Sequence, residues 1–590
     1  MTMPPPCPVR PERSGAQRRG VEGRGVPSSP VRPEPPSPVR PESPSPVRPE
    51  RSGAQRRGVE GRGGLALVAA IAVALVASPA EARRDRNLSG DVARAARLLG
   101  SSRIDEARAQ IADVARRAPG SAEVRWLEAQ VAFLGGDYGG ALARLDGLAD
   151  DAVDGAIGDT RALITRSRDV TQGFEHVDSA GGHFTIYYPP GPDAVIAELA
   201  GEVLEAARDA IGDDLGWKPD GKVRVELLAH PADLAKLSTL TEREIETTGT
   251  IALSKYEKLM VVSPRATILG YPWMDTLAHE YTHLVIQHVS HDTVPVWMHE
   301  GLARFEQTRW RQAPSPTGVV LSAVDQQLLA TALAKRRLIS LDAMHPSMAK
   351  LPSQEAAALA YAEVYTLIGW LHGKLGYPGL RQILLAQRDG KSAQRAVSEA
   401  LDRRWLQVER DWQAHLRSLP LDAGKAIGGR GGRRIRFAKG GAGDDNVGLD
   451  EVASARAKKF ARLGGMLRAR GQAAAAAIEY EKALAAAGGT EPFVAGKLAR
   501  TYVELGAFDK AIALARPLLA LDENDPVAAV TLGVALAAQG DHAGARAAFE
   551  QALRISPFDP TVRCGLADTY DHLGDARARR ERAACDRLRS

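Results

Sequence analysis

The sequence predicts an α+β domain set between two groups of α-helical repeats. Three observations predict it. Strand-like alternation is confined to residues 184–262. A helical stretch bearing His279-Glu280-Tyr281-Thr282-His283 follows directly. Toward the C-terminus, Gly471, Gly506, Gly540 and Gly574 recur at spacings of 35, 34 and 34 residues, a period that belongs to stacked helix pairs.

A chain of 590 residues exceeds what one hydrophobic core holds, so two to four domains are expected. Apolar content of 44% and charged content of 25% are those of globular protein. The net charge is +5, but the first 64 residues are Arg-rich and hold no core. No basic patch is interleaved with aromatics, so a nucleic-acid partner is not expected. The cysteines are Cys7, Cys564 and Cys585. Without a C-x-x-C, neither a cysteine zinc site nor a dithiol redox motif is supported.

Taken in order, residues 1–64 are low-complexity, rich in Pro, Arg, Gly and Ser, and are expected to be disordered. Residues 11–25 recur identically at 49–63, which points to translated repetitive DNA upstream of the true start. Residues 65–77 are all apolar, preceded by Arg56, Arg57 and Arg62 and followed by Ala80-Glu81-Ala82. That is the charged, apolar and small-residue order of an export signal, spanning 65–82. The run is short of the ~20 residues a membrane span needs, so no stable span is expected after cleavage. An uncleaved anchor is the alternative. The mature chain is then expected outside the cytoplasm: periplasmic, in the cell envelope or secreted.

Residues 90–168 read as helical, with Ile104-Asp105-Glu106-Ala107 and Tyr138-Gly139-Gly140-Ala141 34 residues apart. Two repeats make a poor solenoid, so this piece is expected to pack on the next domain. Over 172–265 the pattern changes. Residues 184–188, 223–228, 248–253 and 258–262 alternate like strands, with a helix over 193–211. An edge strand near 250–254 could hold an extended peptide by backbone hydrogen bonds; an inner strand is the alternative.

On a helix, residues four apart share a face, so His279 and His283 can direct two imidazoles at one Zn²⁺. Glu280 lies near the same edge, placed to take a proton from an attacking water. Apolar Leu277, Ala278, Leu284, Val285 and Ile286 argue that this helix is buried, where an unbound His-Glu-His set is costly. Pro295 then opens another helix, whose first turns carry Glu300 as a third ligand. The position for a third His six residues after His283 is Val289. His288 and His291 fall out of that register, and His299 points about 100° from Glu300. An exposed His pair beside a chance Glu is the bland alternative.

Helices resume over 320–418. Residues 419–450 are Gly-rich and charged and read as a mobile linker. Over 452–590, Ala476, Ala511 and Ala545 each follow a repeat glycine by five residues. Tyr480 and Phe549 fill the aromatic position four later, and Pro557 closes its repeat. This resembles tetratricopeptide repeats and implies a concave surface for a protein partner, or else a rigid spacer. Cys564 and Cys585 flank the Gly574 turn at similar distances and could pair across a helix hairpin in an oxidising compartment.

Taken together, Trp273-Met274-Asp275-Thr276-Leu277-Ala278-His279-Glu280-Tyr281-Thr282-His283 and Pro295-Val296-Trp297-Met298-His299-Glu300-Gly301-Leu302-Ala303 resemble the gluzincin clan of zinc metallopeptidases. The nearer likeness is to the peptidase MA-like family. The resemblance covers about 180–415 and implies a thermolysin-like metallohydrolase domain, set here at 172–418. It implies zinc on His279, His283 and Glu300, with Glu280 as general base and a peptide or protein as substrate. It also implies an oxyanion-stabilising Tyr, for which Tyr361 and Tyr365 are candidates on one helical face. Such enzymes carry an acid four residues after the carboxylate ligand to orient a zinc His. Here that position is Arg304, leaving Asp275 as a weak substitute. A repeat scaffold with a degenerate metallohydrolase domain is the competing reading.

Overall fold

The computed structural model describes residues 81–590 apart from 239, 313–318, 423–434, 439–447 and 490, with side chains from residue 88 onward save those of 349 and 451. The low-complexity tract, Cys7 and residues 65–80 of the signal-like segment lie outside the described residues. Among those described, no helix is long and apolar enough to cross a membrane.

The chain opens with five helices: α1 (Glu81–Gly100), α2 (Ile104–Arg117), α3 (Ala122–Leu134), α4 (Tyr138–Leu145) and α5 (Ala156–Thr171). They bury one apolar cluster of their own around Leu99, Ile111, Trp126, Leu127 and Leu145. The group also packs on its neighbour. The Tyr138 hydroxyl donates to Glu226 at 2.5 Å and accepts from Lys258 at 2.6 Å. Arg224 donates to the same Glu226 carboxylate at 2.6 Å. Two cations and a phenol thus offset the cost of a fully buried carboxylate.

The sheet runs in the order β1-β2-β3-β5-β4, from β1 (Glu175–Asp178), β2 (Phe184–Tyr188), β3 (Val223–Leu228), β4 (Ala252–Lys255) and β5 (Lys258–Val262). The pairs β2–β3 and β3–β5 are parallel; β1 and β4 are antiparallel to their neighbours. The crossover between β2 and β3 is α6 (Ala194–Leu215). Alternation decides the faces. Val225, Leu227, Leu259 and Val261 join the main core, whereas Leu228, Met260 and Val262 face a smaller cluster with α7 (Pro231–Leu237) and α8 (Glu242–Thr248). The expected strand at 248–253 begins four residues late. A Thr241–Glu244 capping box starts α8 and Gly249, at φ +72°, ends it. β4 is the outermost strand on its side of the sheet.

Against the main face lie α9 (Trp273–Ser290), α10 (Val296–Glu306), α11 (Ala323–Lys335), α12 (Gln354–Arg388), α13 (Ala393–Leu401) and α14 (Trp405–Ser418). α12 breaks at Gly376, φ +61°, two residues before Pro378, where the sequence pattern also breaks. Glu363 on α12 is fully buried. One oxygen accepts from the Ile339 amide at 3.0 Å and the other has no partner. Burial pushes its carboxyl up to about 8, opposed by the Ile339 bond. A folded-state value above the unfolded one means stability is lost as pH rises from about 4.5 toward 8. Glu363→Gln should therefore gain melting temperature over wild type as pH goes from 5 to 8; a difference that does not change with pH refutes this.

Eight C-terminal helices form four antiparallel pairs: α15 (Ala455–Ala469) with α16 (Ala473–Ala486), α17 (Pro492–Glu504) with α18 (Phe508–Leu521), α19 (Pro526–Ala538) with α20 (His542–Leu553), and α21 (Pro560–Leu573) with α22 (Ala578–Arg589). Gly471, Gly506, Gly540 and Gly574 turn the four pairs at positive φ, and Ala476, Ala511 and Ala545 are fully buried. Cys564 and Cys585 form a disulfide, Cα–Cα 5.0 Å, joining α21 to α22.

Residues 423–434 and 439–447 of the expected linker lie outside the described residues, and the repeats that follow it pack on the sheet-bearing domain. Leu536, Phe549, Leu553, Val562 and Leu566 share one core with α9 and the sheet. The backbone amides of Tyr271 and Trp273 donate to the carbonyls of Ile555 and Arg554, both at 3.1 Å. The Trp273 indole donates to Leu553 O at 3.0 Å. Arg563, fully buried, donates to Glu581 at 2.7 Å and to Val195 O on α6 at 3.0 Å. Within the linker, Phe437 bridges Thr267 in antiparallel fashion, and Ile268 N donates to Arg436 O at 2.9 Å. Residues 435–438 are thus fixed on the sheet-bearing domain, because the backbone there finds strand partners.

Candidate metal centre

α9 carries the His-Glu-His set on a helix buried along the sheet. His279 and His283, one turn apart, meet edge to face at a centroid distance of 4.8 Å. The ligand atoms of His279, Glu280 and His283 lie within 4.8 Å of one another. Glu300 enters from α10, with Oε2 3.4 Å from His279 Nε2 and 3.6 Å from His283 Nε2. That oxygen is buried and has no hydrogen-bond partner. The approach of α10 depends on Gly301, where a Cβ would sit 2.7 Å from Ile368 Cγ1 and 3.1 Å from Val364 O of α12. With no side chain at 301, α10 lies close enough to α12 to bring Glu300 beside Tyr361.

The electrostatics suit a cation. Burial alone would neutralise Glu300, but His283 and His279 hold its carboxyl well below the usual range. Burial lowers the His279 imidazole against the pull of Glu300. For His283 burial acts the same way, but Glu300 outweighs it and the imidazole is raised. Burial pushes Glu280 up to about 7, with Glu300 adding to the rise and His283 opposing it. Two imidazoles and an anionic oxygen with no other partner are a donor set for Zn²⁺.

Of the two Tyr candidates, the fold brings Tyr361 to the cluster. Its ring centroid lies 6.4 Å from that of His279. Burial, then the charges of Glu300 and Glu280, raise its hydroxyl well above the usual range. Tyr365 is directed elsewhere: the Val320 amide donates to its hydroxyl at 3.2 Å, and its ring packs beside Phe305. It lies on the next turn of α12. Asp275 does not orient a histidine, since Arg311 and the Trp310 indole take both its oxygens at 2.8–2.9 Å. Arg304 lies 3.5 Å from Asp325. His288 stacks on Trp217 and bonds Glu257 at 2.7 Å, and His291 caps α9 in the left-handed region.

One contact escaped the sequence. His299 Nδ1 lies 2.7 Å from His283 Nδ1. The 100° offset from Glu300 that argues against ligation by His299 is what carries its ring to the flank of His283. Adjacency to Glu300 was the available signal.

A five-stranded sheet crossed by a helix-borne His-Glu-His cluster, with a carboxylate from the following helix, is the frame of a metallopeptidase-type domain. Residues 212–418 match the model of the Peptidase MA superfamily, and residues 92–156 and 497–560 match a tetratricopeptide repeat model. The chain carries a Peptidase MA superfamily domain between tetratricopeptide repeats. No curated protein matches it. Among solved structures, MamA is 24% identical over 24% of this chain and 84% of that chain, at a TM-score of 0.21. The native yeast LTA4 hydrolase is 10% identical over 70% of this chain and 66% of that chain, at 0.26. At such TM-scores neither likeness carries an argument.

Proposed function

We propose that the chain is an exported zinc-dependent peptidase with His279, His283 and Glu300 as the metal ligands. The observation that carries this is the buried, unpartnered Glu300 oxygen facing two imidazole nitrogens. Zinc held there supplies Lewis acidity toward a carbonyl and makes a water more acidic. Glu280, next to the ligands and pushed up to about 7 by burial, accepts a proton from the attacking water and returns it to the leaving amine. The Tyr361 hydroxyl stays protonated and can donate to the developing oxyanion. β4, outermost in its sheet, offers backbone groups to an extended peptide. The gluzincin-type motifs support a thermolysin-like arrangement of this domain.

Export is supported by the arginines at 56–62 ahead of the apolar and small-residue run over 65–82, and by the Cys564–Cys585 disulfide, a bond that persists in oxidising compartments. Cell fractionation that finds the chain with cytoplasmic markers overturns this part. The C-terminal repeats are assigned a protein partner, or the substrate itself.

Metal analysis tests the central reading. The purified full chain should hold about one zinc, the load of a single three-ligand site. His283→Ala should lose it together with peptide hydrolysis. Wild-type protein that binds no zinc overturns the reading.

A further inference from the structure

We propose that His299 is the positioning residue of this centre: it fixes the tautomer and rotamer of His283. The inference rests on the reading of His283 as a zinc ligand. Two imidazole nitrogens 2.7 Å apart require a proton on one and a lone pair on the other. His283 turns Nε2 toward Glu300 at 3.6 Å, and ligation there needs a lone pair on Nε2. The His283 proton therefore sits on Nδ1 and is donated to Nδ1 of His299. His299 in turn carries its own proton on Nε2. One hydrogen bond sets both rings.

Ligating histidines ordinarily give this second proton to a carboxylate, a carbonyl or water. Here the partner of His283 Nδ1 is another imidazole. Asp275 is held by Arg311 and Trp310, and the residue one turn after Glu300 is Arg304. The two rings lie 4.8 Å apart between centroids, tilted by 37°, so His299 reaches His283 from the side and leaves the Nε2 edge clear. His299 and Glu300 are also consecutive on α10. The helix that delivers the carboxylate ligand thus orients a histidine ligand of α9, and the two cannot move independently. His299 touches no reacting atom in this scheme and is not itself a catalytic residue.

The test uses the full chain with zinc affinity read by chelator competition. His299→Leu removes the acceptor; His299→Asn puts an amide oxygen near the position of Nδ1. Loss of an outer partner of this kind costs about 10- to 100-fold in metal affinity. His299→Leu should show that loss and His299→Asn should recover most of it, with equal melting temperatures for the two zinc-free variants. Wild-type affinity in His299→Leu, or equal losses in both variants, overturns the proposal. A second measurement does not depend on either variant folding. Nitrogen NMR of histidine-labelled wild type should find the His283 proton on Nδ1 and the His299 proton on Nε2; the opposite tautomers overturn it. Zinc-free wild type instead overturns the functional reading, and the inference with it.

Discussion

Glu280→Gln should abolish peptide hydrolysis while leaving zinc in place. The amide matches the carboxylate in shape but cannot accept a proton, so the loss should be that of a general base, about 10²–10⁴-fold in turnover. Zinc content separates this from a folding defect, because His279, His283 and Glu300 keep their positions on α9 and α10. The pH profile adds a sign. The base works only when ionised, and burial pushes its carboxyl up to about 7. A bound dication lowers that value, so hydrolysis should fall along an acid limb that lies below 7. A Gln variant that retains wild-type turnover with zinc bound removes Glu280 from the mechanism.

Deleting residues 449–590 should unfold the metallopeptidase-type domain. The repeats share its core through Phe549, Leu553, Val562 and Leu566, and each large apolar side chain so buried is worth about 1.5–3 kcal/mol. The indole N–H of Trp273, in a fully buried side chain, would lose the Leu553 carbonyl, at about 1–3 kcal/mol. The sum rivals the ~5–15 kcal/mol that holds a typical domain together. The truncated chain should be insoluble or melt far below the full chain. Equal melting temperatures, with hydrolysis retained, would show the repeats to be dispensable.

The two predictions mark where the sequence was informative and where it was not. His279, Glu280 and His283 were legible because helical spacing alone puts i and i+4 together. Glu300 was legible because Pro295 starts a helix and its first turns follow. The repeat glycines announced their turns. The choice between Tyr361 and Tyr365 was not legible. One turn of a helix separates them, and only the packing of α10 on α12 at Gly301 decides which reaches Glu300. The pairing of His299 with His283 depends on the crossing of two helices, which no local pattern encodes. The docking of the repeats was hidden for a related reason. Each repeat satisfies its own period whether or not its outer face meets another domain.

That docking also sets a schedule. The hydrogen bond from Trp273 to Leu553 closes over 280 residues, and that from Arg563 to Val195 over 368. The helix bearing the His-Glu-His cluster cannot acquire its last partners until nearly the whole chain has been synthesised. A chain stopped early has the motif but not the support at the start of α9. Contacts this distant in sequence close slowly, and the disulfide between α21 and α22 then ties together the hairpin that makes the final closure. Late closure of this kind leaves the His279–His283 helix without its full packing in any incomplete copy of the chain.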